Sequence, residues 1–217
     1  MADSALLTAD DLRRRFAHTA LPADPTEVIE YPGSSRWPAS LQQRLQATLT
    51  PAGVLIPVFD RVASGAGLSV LLTQRAADLT HHAGQVSFPG GRMESMDENI
   101  RATALREAQE EVGIAIEQVA VIGYLEPMPT ITGFAVTPVV GLVPASVEPK
   151  ADHNEVERTF EVPLSFLLQP ANRRVVERDL HGRKFPMIEF HYAGHRIWGA
   201  TAMMILQFIN FINNNKL

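Results

Sequence analysis

The stretch FPGGRMESMDENIRATALREAQEEVG, Phe88 to Gly113, sets a double glycine ahead of a helix that carries Glu107, Glu110 and Glu111. Ile100, Ala104, Leu105, Ala108 and Val112 recur at spacings of three and four, which predicts a helix over Asp97–Val112 with one buried stripe. Gly113 is its stop signal. Positions i, i+3 and i+4 fall within an arc of roughly 100°, so the three glutamates share a face beside the apolar stripe. Like charges so placed cost a helix a few tenths of a kcal/mol. Either the face is simply solvated, or a hard cation that prefers oxygen, Mg²⁺ or Mn²⁺, turns the repulsion into binding. Arg106 is placed to hold one carboxylate by a bidentate bond. The Gly90-Gly91 turn lets backbone come close to whatever the helix binds, and the Gly90 carbonyl is a further candidate ligand.

Outward from this stretch the chain reads as a succession of strands broken by single helices. Thr8, followed by Asp10 and Asp11, marks a helix start, and that helix fades near Thr19. A second short helix is expected over Ala39–Leu49. AGVLIPVFDR and LSVLLTQRA, separated by VASGAG, form a hairpin-type pair, and GQVSF is a third strand. Further strands are expected at VAVIGYLEP, GFAVTPVVGLV, TFEVP and KFPMIEFHY, with a short helix at LSFLLQ and an apolar helix from near Thr201. Without regular βαβ alternation this order predicts an α+β fold, a mixed sheet between helices.

Composition bounds the function. The 217 residues are 46% hydrophobic and 20% charged, an ordinary globular balance, with formal net charge −5. The acidic excess gives no support for binding nucleic acid or an anionic membrane through bulk charge. There is no cysteine, which excludes disulfides and thiolate metal sites. MADSALLTADDLRRRF lacks the apolar core of a signal peptide, and TAMMILQFINFI is too short for a bilayer span. A soluble, cytoplasmic protein is the expectation.

The central stretch resembles the Nudix hydrolase signature on Gly91, Glu98, Arg106-Glu107, Ala108, Glu110-Glu111, Gly113 and Ile114. Six residues separate Gly91 from Glu98, one more than the general pattern. That spacing, with LLTQRAADLTHHAGQVSFPGG just upstream (Leu71 to Gly91), is similar to the coenzyme A pyrophosphatase branch. Leu71-Leu72-Thr73, Arg75, Ala76, Gly84 and Phe88-Pro89-Gly90-Gly91 match. Thr80 stands where the pattern has a basic residue, beside His81 and His82. The similarity runs on through TGFAVTPVVGLV to WGATA and covers most of residues 50–205.

The resemblance implies a Nudix-type α/β/α sandwich over residues 51–217, with residues 1–50 as an N-terminal helical extension. It implies hydrolysis of the coenzyme A pyrophosphate bond to 3′,5′-ADP and 4′-phosphopantetheine, dependent on Mg²⁺ or Mn²⁺, with two or more ions alongside substrate. The implied metal ligands are Glu107, Glu110, Glu111 and the Gly90 carbonyl, with Glu98 supporting and Arg106 orienting a glutamate. Glu155, in the loop DHNEVERTF, is the first candidate for general base, with Glu110 or Glu111 as substitutes. Arg75, His81 and Phe88 are the expected substrate contacts, with a structural ion pair the equal alternative for Arg75. His153, His181, His191 and His195 lack ligand spacing, and Trp198 reads as core. The partner is a small-molecule nucleotide, with a homodimer left open. Alternatives are another nucleoside diphosphate derivative (NADH, ADP-ribose, a dinucleoside polyphosphate) or a non-catalytic nucleotide-binding domain.

Overall fold

The computed structural model describes residues 7–29, 42–43, 45, 47–61, 65, 67–76, 84–180 and 183–214. Helix α1, Ala9–Phe16, opens on a capping box in which Thr8 and Asp11 satisfy each other's free backbone donors. Of the helix expected over Ala39–Leu49, Gln42, Gln43 and Leu45 are helical and Ala47 to Leu49 are not; the remainder lies outside the described residues.

The frame is a mixed sheet. Strand β1, Thr50–Arg61, lies at its centre and pairs antiparallel with β2, Gly67–Arg75, from Val58↔Val70 to Arg61↔Gly67. The short strands β3, Val86–Ser87, and β4, Gly90–Arg92, pair with β2 and β1 in turn. On its other side β1 runs parallel to β7, Phe134–Val143, from Thr50↔Phe134 to Phe59↔Val143. Strands β5, Ala120–Tyr124, and β6, Met128–Pro129, pair with β7, while β8, Val156–Pro163, pairs with β2.

Alternation along these strands divides the core in two. Leu55, Phe59, Leu71, Val139 and Val143 face one side, where they meet Ala104, Leu105, Ala108 and Val112 of helix α2, Ile100–Val112. Val54, Ile56, Val58, Val70, Leu72 and Val140 face the other side, where they meet Leu12 and Phe16 of α1 and Ala202, Ile205, Phe208 and Ile209 of the last helix. Helices therefore cover both faces of a mixed sheet, as expected. Helix α3, Leu164–Leu168, is a single short turn after β8, and α4, Gly199–Asn214, begins two residues before the expected Thr201.

Four strands were not legible. β4 and β6 are three and two residues long and exist only through their pairing with β1 and β7. The other two, β9, Arg173–Leu180, and β11, His195–Ile197, flank β10, Arg183–Tyr192, in a separate three-stranded antiparallel sheet. RRVVERDL is too charged to advertise a half-buried strand. One face of this second sheet, at Phe190 and Ile197, closes the α1–α4 side of the core. Among the described residues no helix is long and apolar enough to cross a membrane.

Candidate active site

Helix α2 starts later than its periodicity predicts. Asn99 is the N-cap, accepting from Ala102 N at 3.1 Å, so Asp97 and Glu98 lie before the helix. At the other end Gly113, with φ 64°, takes the left-handed conformation, and Gly113 N and Ile114 N donate to Gln109 O and Ala108 O. The first turn rests directly on β1 at Gly53, where a Cβ would stand 2.6 Å from Ile100 O.

β4 brings the double glycine against the same helix. A Cβ on Gly91 would fall 2.6 Å from Glu107 Cδ, so the bare backbone is what makes room for that carboxylate. A Cβ on Gly90 would fall 2.6 Å from Val54 Cα, across the β1–β4 pairing. The Gly90 N–H lies close enough to the Glu111 carboxylate to favour its charged form.

The three glutamates share one face but differ in environment. The Glu111 side chain is 3% exposed, Glu107 15% and Glu110 60%. Burial pushes Glu111 up to about 8, against the opposing charge of Arg75, whose Nη1 lies 3.6 Å away. Glu111 Oε2 is buried with no hydrogen-bond partner. Burial also raises Glu107, countered by Arg106.

Arg106 is the organising cation. It donates to Glu107 Oε1 and Glu110 Oε2, both at 2.9 Å, and to the Arg92 carbonyl at 3.3 Å. Its strongest grip is bidentate on Asp97, at 2.9 and 3.0 Å. That fork holds the Asp97 carboxyl down to about 2 and raises the guanidinium further above its already high value. Asp97 also accepts from Glu94 N and from Thr103 Oγ1. Sequence reasoning missed Asp97. It assigned a supporting role to the neighbouring Glu98, which is exposed and, among the described residues, makes no hydrogen bond or ion pair. The available signal was the second carboxylate beside Glu98; helical spacing from Arg106 could not choose between them, because the segment before Asn99 is not helix.

The other expected site residues divide. Glu155 is exposed yet close enough that its charge raises both Glu107 and Glu111. Its loop is stitched in place: Lys150 N and Asp152 N donate to Val112 O and Glu111 O, and Ala76 N donates to Glu155 O, at 2.8 to 2.9 Å. Arg75 faces Glu111 from the end of β2. Phe88 is a correction, since it is 2% exposed within the core and offers no surface to a ligand. His81, with Thr80 and His82, lies outside the described residues. His191 pairs with Glu189, His195 stacks on Phe160, and Trp198 lies beneath Arg196 rather than deep in the core.

Among the described residues no three His, Asp or Glu side chains converge as a finished metal cage. Glu107 and Glu110 are both paired with Arg106 at 2.9 Å. The donor set nevertheless suits a hard divalent cation. Its donors are carboxylate oxygens, one of them buried and unsatisfied, and Glu110 is exposed enough to swing.

A family model described as the NUDIX domain matches residues 49–180. A relative from Citrobacter koseri, bearing the name uncharacterized Nudix hydrolase NudL, is 46% identical over 154 residues, covering 71% of this chain and 78% of its own. The protein of that name from Salmonella paratyphi B is 44% identical over the same shares. Among solved structures, the MutT protein from Methanosarcina mazei Go1 is similar at 19% identity and TM-score 0.48, over 76% of this chain and 94% of its own.

Proposed function

The chain belongs to the Nudix hydrolase family, which acts on pyrophosphate bonds of nucleoside diphosphate derivatives, and on that premise we propose that its substrate is coenzyme A or a derivative of it. Hydrolysis at the pyrophosphate yields 3′,5′-ADP and 4′-phosphopantetheine. One observation carries this reading: the motif from Leu71 to Gly91 begins on β2, ends in Gly90-Gly91 on β4 rather than in the expected turn, and presents Arg75 to Glu111. Of the residues that resemble the coenzyme A branch, Arg75, Gly90 and Gly91 thus border the glutamate face of α2.

Glu107, Glu110, Glu111 and the Gly90 carbonyl are the residues that would hold Mg²⁺ or Mn²⁺. Bound there, divalent ions supply neutralisation of the diphosphate and activation of water for in-line attack. The chain's own groups do the remaining work. Arg106, anchored by Asp97, fixes where Glu107 and Glu110 point. Arg75 reaches the site edge as a guanidinium suited to a phosphate oxygen. Glu155, held beside the cluster by the backbone bonds of its loop, accepts the proton of the attacking water.

The test is product analysis of the purified protein with Mg²⁺ or Mn²⁺ on coenzyme A, its oxidised and acylated forms, NADH, ADP-ribose and dinucleoside polyphosphates, beside Glu110→Gln. Coenzyme A is expected among the best substrates, and Glu110→Gln is expected to lose most turnover while keeping the fold by circular dichroism. Robust ADP-ribose cleavage with none of coenzyme A moves the assignment to another nucleoside diphosphate derivative. Cleavage of no diphosphate sinks the catalytic reading.

A further inference from the structure

Strand β9 forms the outer edge of the three-stranded sheet, paired with β10 on one side. Among the described residues no strand pairs with its other side. An open strand edge presents a row of backbone donors and acceptors that another chain can use, and proteins blunt such edges with charged side chains, proline, a bulge or a cover; the charges of β9 are of both signs, so they repel a strand in some registers and attract it in others. β9 contains no proline, and its register with β10 is unbroken from Leu180↔Arg183 to Arg173↔Phe190. At its middle Val175 is 67% exposed. Of the exposed large apolar residues among those described, Val175 alone stands in a strand. Its neighbour across the sheet is Ile188, which packs against the main core.

We propose that β9 pairs antiparallel with β9 of a second copy, about a two-fold axis through Val175 and perpendicular to the sheet. Such an axis keeps the two faces of the sheet in common and sets residues of equal parity opposite each other. Val175 then meets Val175, and the apolar row runs Ile188, Val175, Val175, Ile188 across both molecules. Arg173 of each copy faces Glu177 of the other, so opposite charges meet twice. The neighbouring registers lack this complementarity. Centring on Arg174 or Glu177 sets that residue against itself, and centring on Val176 sets Arg174 against Arg178. Like charges directly opposite each other destabilise a strand pair, so the charge pattern of RRVVERDL selects one register. Glu177 is free to change partner, because its bridge to Lys184 is 3.4 Å long with both side chains more than two-thirds exposed.

The occupant is a second copy of this chain because the strand is complementary to itself. The test is sedimentation velocity of the full chain over a concentration series, with Arg173→Glu, Glu177→Arg and the double variant. All these positions are at the surface or partly so, and circular dichroism checks that each variant keeps its fold. Wild type is expected to dimerise. Each single reversal is expected to weaken the dimer by about tenfold or more, by placing like charges opposite each other at both ends. The double reversal restores the opposite pairing and is expected to return the dissociation constant to within about threefold of wild type. A monomeric wild type overturns the proposal, as does a dimer indifferent to the single reversals. A double variant no tighter than the singles overturns the register.

Discussion

Glu111 is held between a buried setting that favours its protonated form and the ligand role proposed for it, which needs its charge. Its carboxyl is pushed up to about 8 from an ordinary 4.5, chiefly by burial. A folded-state value raised in this way stabilises the cation-free fold fully below 4.5, and that contribution is lost as pH rises through about 8. A divalent cation held by Glu111, as proposed, would displace that proton, so its binding would strengthen with pH up to about 8 and level off above it. The thermal stabilisation given by Mg²⁺ is therefore expected to grow between pH 6 and pH 9, and Glu111→Gln is expected to flatten the dependence. Melting curves with and without Mg²⁺ measure this; a pH-independent stabilisation of wild type rules out Glu111 as the titrating ligand. Asp97 has the opposite sign. Held down to about 2, chiefly by Arg106, it contributes stability that is present above 3.8 and lost as pH falls through about 2. The glutamates were legible because helical periodicity puts them on one face. The Asp97–Arg106 fork was not, because it joins a loop to a helix and loop geometry has no period.

At the scale of elements, β4 and α2 are fitted to each other through two glycines with different duties. A side chain at Gly91 would meet the flexible end of Glu107, whereas one at Gly90 would meet the backbone of β1 at Val54. Gly91→Ala is thus expected to displace the Glu107 carboxylate and lower kcat/KM by about a hundredfold with little change in stability. Gly90→Ala is expected to cost about 1–3 kcal/mol in folding as the β1–β4 pairing gives way. Steady-state kinetics and urea unfolding separate the two; full activity in Gly91→Ala would mean that Glu107 has room to spare. The sequence showed that glycines were needed beside the helix, but not which of the two spares a carboxylate and which a strand. Long elements with a sustained apolar run or stripe, such as β1 and α2, were readable. β4 and β6 were not, since two or three residues carry no period of their own.

Across the whole molecule, the N-terminal residues are part of the same core as the catalytic frame. Phe16 is fully buried and stacks on Phe211 and Phe208 of α4, with ring centroids 4.4 and 5.9 Å apart. Arg15 donates to the Ile212 carbonyl, and Thr19 Oγ1 accepts from Tyr124 N at 3.0 Å. α1 and α4 therefore close the sheet face opposite α2, although the family model begins at residue 49 and ends at 180. Phe16→Ala is expected to cost about 3–5 kcal/mol, measured by chemical unfolding. A loss below about 1 kcal/mol would show that α1 is dispensable to the core.

Period and spacing alone determined that this chain forms strands and single helices in a mixed sheet, and that three carboxylates line one side of α2. The residue identities in the two motifs carried the resemblance to the family that the family model and the relatives show. Only the tertiary structure decided that Glu111 is the buried carboxylate and that Asp97, which sequence reading did not single out, grips Arg106. It also moved Phe88 into the core, away from any ligand. Local sequence dictates which residues share a face. Burial and ion pairing depend on which distant segments close over that face, and that depends on the packing of the whole chain.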